Sequence, residues 1–336
     1  MVINDDGTLL GLFLLIKHLA PYFLFILGCI FLYYSSESFI DKSILISQKM
    51  NISPIIIGAS VIALGTSLPE LLVSLYSIFM YSDPNNIDNL SSSGIVIGNI
   101  LGSNIANVAL VLGFCAFLYK VIFESNVLKD LLFISLLGSY VLICLYFNFS
   151  INYIHGILLL ISFCIYFYYL ISNNDPDSDF ENKPDSSSLW YSLFIIVLSM
   201  FGLSLGTNLI VENALLISEL MGISKLNVGF SIVALGTSLP ELFTSLASIK
   251  RKKYNLLIGN VIGSNVLNVI FVLGISSLFT NINVSADFIR GGNLIAIVFI
   301  ISHLIVLLNY LINRSVSKFS GLLLLIVYFF FIFKLF

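Results

Sequence analysis

Two stretches decide the fold: Gly58–Phe79, GASVIALGTSLPELLVSLYSIF, and Gly229–Lys250, GFSIVALGTSLPELFTSLASIK. Aligned without gaps, they agree at 15 of 22 positions. A second pair of blocks follows them. Gly98–Gly113 (GNILGSNIANVALVLG) and Gly259–Gly274 (GNVIGSNVLNVIFVLG) match at 10 of 16. Apolar bias alone scatters a few matches, but does not write GTSLPEL twice and GSN twice at corresponding places. The chain is therefore an internal duplication, with polar residues embedded in apolar sequence.

A length of 336 residues would ordinarily suggest two soluble domains. Composition overrules that expectation. Hydrophobic residues make up 58% and charged residues 10%, against roughly 45–50% and about 25% in ordinary globular chains. With 29 Phe, 16 Tyr and a mean hydropathy of +1.04, too few charges remain to cover a globular surface in water. A soluble enzyme, a nucleic-acid binder and a disordered linker protein are excluded, and the net charge of −3 offers phosphates no basic surface. This is a polytopic membrane protein whose partner is the lipid bilayer. Its four cysteines sit in apolar runs without metal spacing and read as small packing residues. The N-terminus, MVINDDGTLL, is acidic, so no removable signal peptide is expected.

A bilayer core of about 30 Å needs roughly 20 apolar residues per helix. That predicts ten transmembrane helices, near 20–46, 54–81, 94–119, 127–148, 152–172, 189–220, 226–249, 255–280, 288–311 and 316–335. With the N-terminus outside, the inside loops hold 11 basic residues and the outside 4, so both termini are expected to be extracytoplasmic. The hydrated stretch 171–188, ISNNDPDSDFENKPDSSS, divides the chain. It predicts a first five-helix repeat over 8–172 (duplicated block 58–114), a cytoplasmic linker over 173–188 and a second repeat over 189–336 (duplicated block 229–275). Five is odd, so the second copy enters the membrane from the opposite side. The fold class expected is all-α, two inverted five-helix repeats, an architecture suited to alternating access around a midplane site.

Glu70 and Glu241 fall near the centres of the second and seventh helices, and no Lys or Arg lies at comparable depth in those helices or in the third and eighth. A charge there costs at least about 2.5–3.5 kcal/mol without a partner. The simplest missing partner is a bound cation, or else protons. Pro69 and Pro240 cannot donate to Gly65 and Gly236, so the backbone is expected to unwind around Ala63–Thr66 and Ala234–Thr237 and free carbonyls. Thr66 and Ser67 stand four and three residues before Glu70, on its face of the helix, as Thr237 and Ser238 do before Glu241. The partner helices offer Ser103 with Asn107, and Ser264 with Asn268. Such an all-oxygen set suits hard cations such as Ca²⁺ or Na⁺ and argues against zinc or copper.

Each motif also has a plainer reading. Gly98/Gly102 and Gly259/Gly263 are small-residue spacings that let helices approach. A membrane proline can be only a kink, and Ser or Thr can bond back to its own helix. An isolated TSLPE would divide evenly between kink and site. Two copies, each with an embedded Glu, favour the site.

At these residues the sequence resembles the cation/Ca²⁺ antiporters, the superfamily that includes the Na⁺/Ca²⁺ exchangers, in its two copies of GTSxPE followed by GNxxGSNxxN. The short prokaryotic members are the most similar in plan, because this chain has only 171–188 where larger exchangers carry a long loop. The resemblance implies four cation positions built from both repeats. Glu70 and Glu241 would be the central carboxylates, flanked by Thr66, Ser67, Thr237 and Ser238 and by the carbonyls of Ala63 and Ala234, with Ser103, Asn107, Ser264 and Asn268 completing the ring. It further implies that the first and sixth helices slide across a fixed core, that Na⁺ entering expels Ca²⁺, that no cofactor is needed, and that the chain works as a monomer. One departure matters: some exchangers carry Asp where this chain has Asn268. Two glutamates balance one Ca²⁺ or two Na⁺, and stoichiometry and the coupling ion stay open, with Ca²⁺/H⁺ antiport as the alternative. A channel would more commonly ring its ligands from several subunits. An intramembrane protease would need a nucleophile or aspartate pair that these motifs lack.

Overall fold

A computed structural model describes residues 5–81, 90–124, 127–147, 149–173, 188–220, 236–283 and 286–335. Most of the expected linker, 174–187, and the stretch 221–235, including Ala234, lie outside the described residues. In lipid every backbone polar group must find a partner within the chain, which leaves helices as the spanning element for a sequence of long apolar runs. The helices are α1 (Asp5–Met50), α2 (Pro54–Ile57), α3 (Ala63–Thr66), α4 (Leu68–Tyr81), α5 (Leu90–Ile105), α6 (Gly113–Leu118), α7 (Leu128–Tyr146), α8 (Tyr153–Ser172), α9 (Leu189–Leu220), α10 (Leu239–Lys250), α11 (Tyr254–Leu267), α12 (Gly274–Phe279), α13 (Ala286–Asn313) and α14 (Lys318–Leu335). Among the described residues, seven continuous spans are long and apolar enough to cross a membrane: Leu19–Met50, Pro54–Phe79, Ser93–Leu118, Tyr153–Ser172, Leu189–Ile217, Tyr254–Phe279 and Leu294–Asn313. Helices α7 and α14 occupy the expected fourth and tenth spans, and the expected seventh is described from Gly236 onward.

Among the described residues, three spans are not regular α-helices. Gly58–Ile62 joins α2 to α3, Ala106–Leu112 joins α5 to α6, and Asn268–Leu273 joins α11 to α12, all as π-helical turns. A π turn widens the helix locally and is found disproportionately at functional positions. The two GSN blocks each run into one, so the duplication extends to this distortion.

The interior divides into two apolar clusters. The larger gathers α5–α8 and α11–α14 around Ile100, Ile105, Val266 and Val269. The smaller joins α1 to α9 through Leu32, Phe39, Ile40, Ile196 and Leu203, and rests on Ile57, Ile62, Ala247 and Leu256. In their most apolar 18-residue stretches, span 254–279 is 94% buried and span 93–118 is 83% buried, whereas α1, α8 and α9 are 28%, 22% and 33% buried and lie at the periphery, α1 and α9 set apart by a cluster of their own.

Glycine sets how closely the elements approach. A Cβ on Gly28 would meet the Gly206 carbonyl at 2.9 Å, and one on Gly206 would meet the Gly28 carbonyl at 2.9 Å, so α1 and α9 cross backbone to backbone. On Gly259 a Cβ would lie 2.4 Å from the Ile55 carbonyl, and on Gly263 2.5 Å from the Ala59 Cα. The expected packing role of Gly259 and Gly263 is thus filled by the start of the second span. Farther out, Gly113 faces Gly321 between α6 and α14, while Gly156 faces the Gly274 carbonyl between α8 and α12. Short strands repeat that exchange: Val121–Ile122 (β1) pairs antiparallel with Ser315–Val316 (β2), and Ile151 bridges Ile282.

These contacts predict that Gly259→Ala lowers thermal stability in detergent by about 1–3 kcal/mol, because the added methyl meets backbone rather than a yielding side chain. A melting curve unchanged from that of the native chain would show that α2 and α11 can move apart at little cost.

Candidate functional site

The site forms where the interrupted spans meet. In the first repeat the helix breaks at Ser67 (φ −88°, ψ 3°), between α3 and α4, and in the second at Ser238 (φ −91°, ψ 4°), immediately before α10. The backbone does not unwind around Ala63–Thr66 as the prolines suggested. Those residues form the helical turn α3, and the Ala63 carbonyl still accepts the Ser67 N–H at 2.9 Å. Proline excludes a donor only at its own position, so the disruption shrinks to one residue. The Leu71 N–H reaches the Ser67 carbonyl at 3.3 Å, and the Leu242 N–H the Ser238 carbonyl at 3.0 Å, so each helix resumes at once.

That single bend leaves Glu70 and Glu241 in the first turns of α4 and α10, where an anion is favoured by the N-terminal dipole. Both are 0% exposed, and none of their four carboxylate oxygens has a hydrogen-bond partner. The carboxyl groups are close enough for their charges to interact. Ser103 stands beside Glu70, and Thr66, Ser67 and Ser264 stand beside Glu241, without completing hydrogen-bond geometry to the carboxylates. Among the described residues, the ion pairs lie elsewhere, between Lys250 or Arg251 and the acids Glu37 and Asp41 of α1.

The hydroxyls cross between the repeats. Thr66 Oγ1 lies 3.3 Å from Ser264 Oγ, and Thr237 Oγ1 lies 3.4 Å from Ser103 Oγ. Ser67 and Ser238 are buried with unpartnered hydroxyls. Asn107, inside the second π turn, is buried with neither amide atom bonded. Asn268 opens the third π turn and donates Nδ2 to Asn104 Oδ1 at 3.0 Å, leaving its own Oδ1 unpartnered. Eleven of the twelve residues singled out from the sequence are therefore described and buried, and Ala234 lies outside the described residues. Buried polar atoms are nearly always paired. A concentration of unpaired oxygens around two carboxylates is the chemistry of a cation cage. No group of three His, Cys, Asp or Glu gathers among the described residues, so a cation held here would take most of its coordination from neutral oxygens.

Sequence reasoning passed over four asparagines that assemble this cage. Asn99 donates to the Glu70 carbonyl at 2.8 Å and to Ser74 Oγ at 3.0 Å. Its counterpart Asn260 donates to Thr244 Oγ1 at 3.1 Å and Ser245 Oγ at 3.2 Å, and its Oδ1 lies 3.2 Å from Thr66 Oγ1. Asn104 donates to the Asn265 carbonyl at 3.2 Å while Asn265 donates to the Asn104 carbonyl at 3.1 Å. The signal was present in the sequence: the GN and GSN of both blocks keep these amides at matching places.

The family model described as "Sodium/calcium exchanger protein" matches residues 20–172 and 191–336. An uncharacterized membrane protein of Methanocaldococcus jannaschii is 38% identical over 77% of this chain and 82% of its own length. The sodium/calcium exchanger MaX1 of Methanosarcina acetivorans is 28% identical over 94% of this chain and 98% of its own. Among solved structures, the sodium-calcium exchanger NCX_Mj soaked with 10 mM Na⁺ and zero Ca²⁺ superposes with a TM-score of 0.78 at 33% identity, covering 95% of this chain and 99% of that one.

The hydrogen bonds predict that Asn260→Ala destabilises the protein by about 1–3 kcal/mol, since it strips a donor from buried Ser245 and Thr244 and an acceptor from Thr66. Calorimetry of the purified variant checks this, and Asn260→Asp should fall at least as far because it brings a third carboxylate toward Glu241.

Proposed function

Because the chain belongs to the sodium/calcium exchanger protein family, we propose that it is a secondary active antiporter exchanging Ca²⁺ for Na⁺ by alternating access around Glu70 and Glu241. The observation that carries this reading is the pair of fully buried carboxylates with no bonded partner, ringed by hydroxyl and amide oxygens from both repeats. Thr66, Ser67, Thr237, Ser238, Ser103, Ser264, Asn107 and Asn268 act with them as cation ligands, together with the carbonyls of Ala63 and Ala234. The protein is an integral multi-pass membrane protein and a transporter rather than an enzyme. Relatives named for their ions are sodium/calcium or sodium/potassium/calcium exchangers, so the proton-driven alternative is not carried forward.

Ten transmembrane helices in two inverted repeats, 8–172 and 189–336, are part of this proposal. Exchanged contacts support it: Thr66 with Ser264 against Thr237 with Ser103, β1 with β2 against Ile151 with Ile282, and Gly113 with Gly321 against Gly274 with Gly156. Contacts that swap between duplicated halves are what a two-fold axis in the membrane plane requires. Both termini then lie outside the cell membrane, and a single chain supplies the complete site, so a monomer suffices. Alternating access would come from α1 and α9 moving together over the core. Their separate apolar cluster and mutual glycine crossing support motion as one unit.

The test is ⁴⁵Ca²⁺ uptake into proteoliposomes preloaded with Na⁺. Uptake should require the outward Na⁺ gradient and be absent when only a pH gradient is imposed in sodium-free medium. Glu70→Gln and Glu241→Gln should each cost about 2–5 kcal/mol of ion binding, at least roughly a 30-fold loss of affinity. Uptake surviving in both variants would place the transport site elsewhere.

A further inference from the structure

At the end of the core where α8 stops and α2 and α7 begin, there is a cavity of about 460 Å³ that none of the proposed transport ligands lines. Glu124, Asp130, Tyr166, Tyr169, Asn173 and Arg314 form its polar wall, and Ala59 and Gly259 meet at its base.

Tyr166 is the telling side chain. Its ring is stacked on Phe133 at 5.8 Å and only 4% of the residue is exposed, yet its hydroxyl has no hydrogen-bond partner. A buried phenol ordinarily finds one. Asn173 commits its Nδ2 to the Tyr169 carbonyl at 2.8 Å, so the amide oxygen is the atom it offers. The last turn of α8 brings the partial negative charge of a helix C-terminus to the same wall. Asp130 lies in the first turn of α7, where an acid complements the helix dipole without any ligand. That role accounts for an acid on α7, but not for the unpaired phenol in the same cavity. Arg314 is the lone guanidinium of the wall and lies over the Tyr310 ring at 5.7 Å. The wall carries both signs, with Lys129 beside Asp130 as well as Arg314, so what distinguishes the cavity is its set of oxygens around the unpaired phenol rather than a net charge. Carboxylate, phenol and amide oxygens without His or Cys suit a hard cation.

We propose that this cavity is a second binding site, for a divalent cation such as Ca²⁺, separate from the transport site. Its occupant ties α7 and α8 to the crossing of the second span with α11. It opens on the face that the basic loops assign to the cytoplasm. The inference takes only that topology from the exchanger reading, and its binding chemistry stands without it.

Terbium tests it, being a hard cation whose luminescence is sensitised by a nearby tyrosine. The probe is Tb³⁺ itself, titrated into the purified full chain carrying Glu70→Gln and Glu241→Gln, so that both transport carboxylates are neutral. A saturable tyrosine-sensitised signal displaced by Ca²⁺ is expected, with affinity weakened at least about tenfold by Asp130→Asn. Tyr166→Phe, nearly isosteric, should also weaken binding while Tyr169 remains as the antenna, and it decides alone if Asp130→Asn does not fold. The absence of a saturable signal, or a signal that these substitutions leave unchanged, overturns the proposal. Failure of Na⁺-driven uptake in the native chain would refute the exchanger reading and leave this titration as it stands.

Discussion

Two carboxylates held at the centre of a lipid-soluble core, with no hydrogen-bond partner on any of their four oxygens, are the constraint around which the rest is built. Desolvating even one carboxylate costs several kcal/mol after relaxation. Fold stability alone would be served better by apolar side chains of the same volume. Among the described residues, no Lys or Arg answers the charge. The surroundings answer it with neutral oxygens, while Asn99 and Asn260 bind the main chain and hydroxyls one turn beyond each glutamate. The amides satisfy the scaffold and leave the carboxylates free. A resident guanidinium would neutralise the site permanently, whereas neutral oxygens would leave its charge to be met by a mobile ion.

Rigidity around that charge comes from exchange between the halves. Asn104 and Asn265 bind each other's carbonyls, and the start of the second span lies against Gly259 and Gly263 with no side chain between. Sub-ångström displacement at such a backbone contact is steric conflict, so this part of the core is rigid. Helices α1 and α9 are built otherwise. They share a small cluster of their own, present most of their surface outward, and touch the core near the bends, where Phe39 and Met200 press on Gly65 and Val211 on Gly236. The glycine of each GTSLPE segment is thus a seat for the outer pair as well as a neighbour of the site.

Much of this was legible in the sequence, for a physical reason. Lipid makes embedded charge and backbone breaks expensive, so GTSLPE repeated in long apolar runs had few meanings, and the second motif supplied Ser103, Asn107, Ser264 and Asn268. What could not be read was any quantity that depends on distant pairing. Asn104 meets Asn265 across 161 positions, and Thr66 meets Ser264 across 198, which no local pattern encodes. The π turns were missed because one extra residue per turn leaves no mark on an apolar run. Proline was over-read at Pro69: a missing donor disrupts only the carbonyl it would have served, and Ala63 kept its bond to Ser67.

One tether complicates the picture of an outer pair free to slide. Arg251, in the loop between α10 and α11, donates to Asp41 at 2.7 Å and to Glu37 at 2.6 Å, and Lys250 reaches Glu37 at 3.3 Å, so α1 is fastened to the core at one end. Exposed pairs of this kind contribute little singly, with a median of about 0–1 kcal/mol, but Arg251 is only 21% exposed and bridges two acids one helical turn apart on α1. Any displacement of α1 along its axis by a turn would bring Glu37 toward the place of Asp41, or the reverse. The guanidinium could then keep one acid partner throughout. A spacing of four residues would thus let one guanidinium hold α1 in two registers a turn apart, as the two packings of alternating access would require.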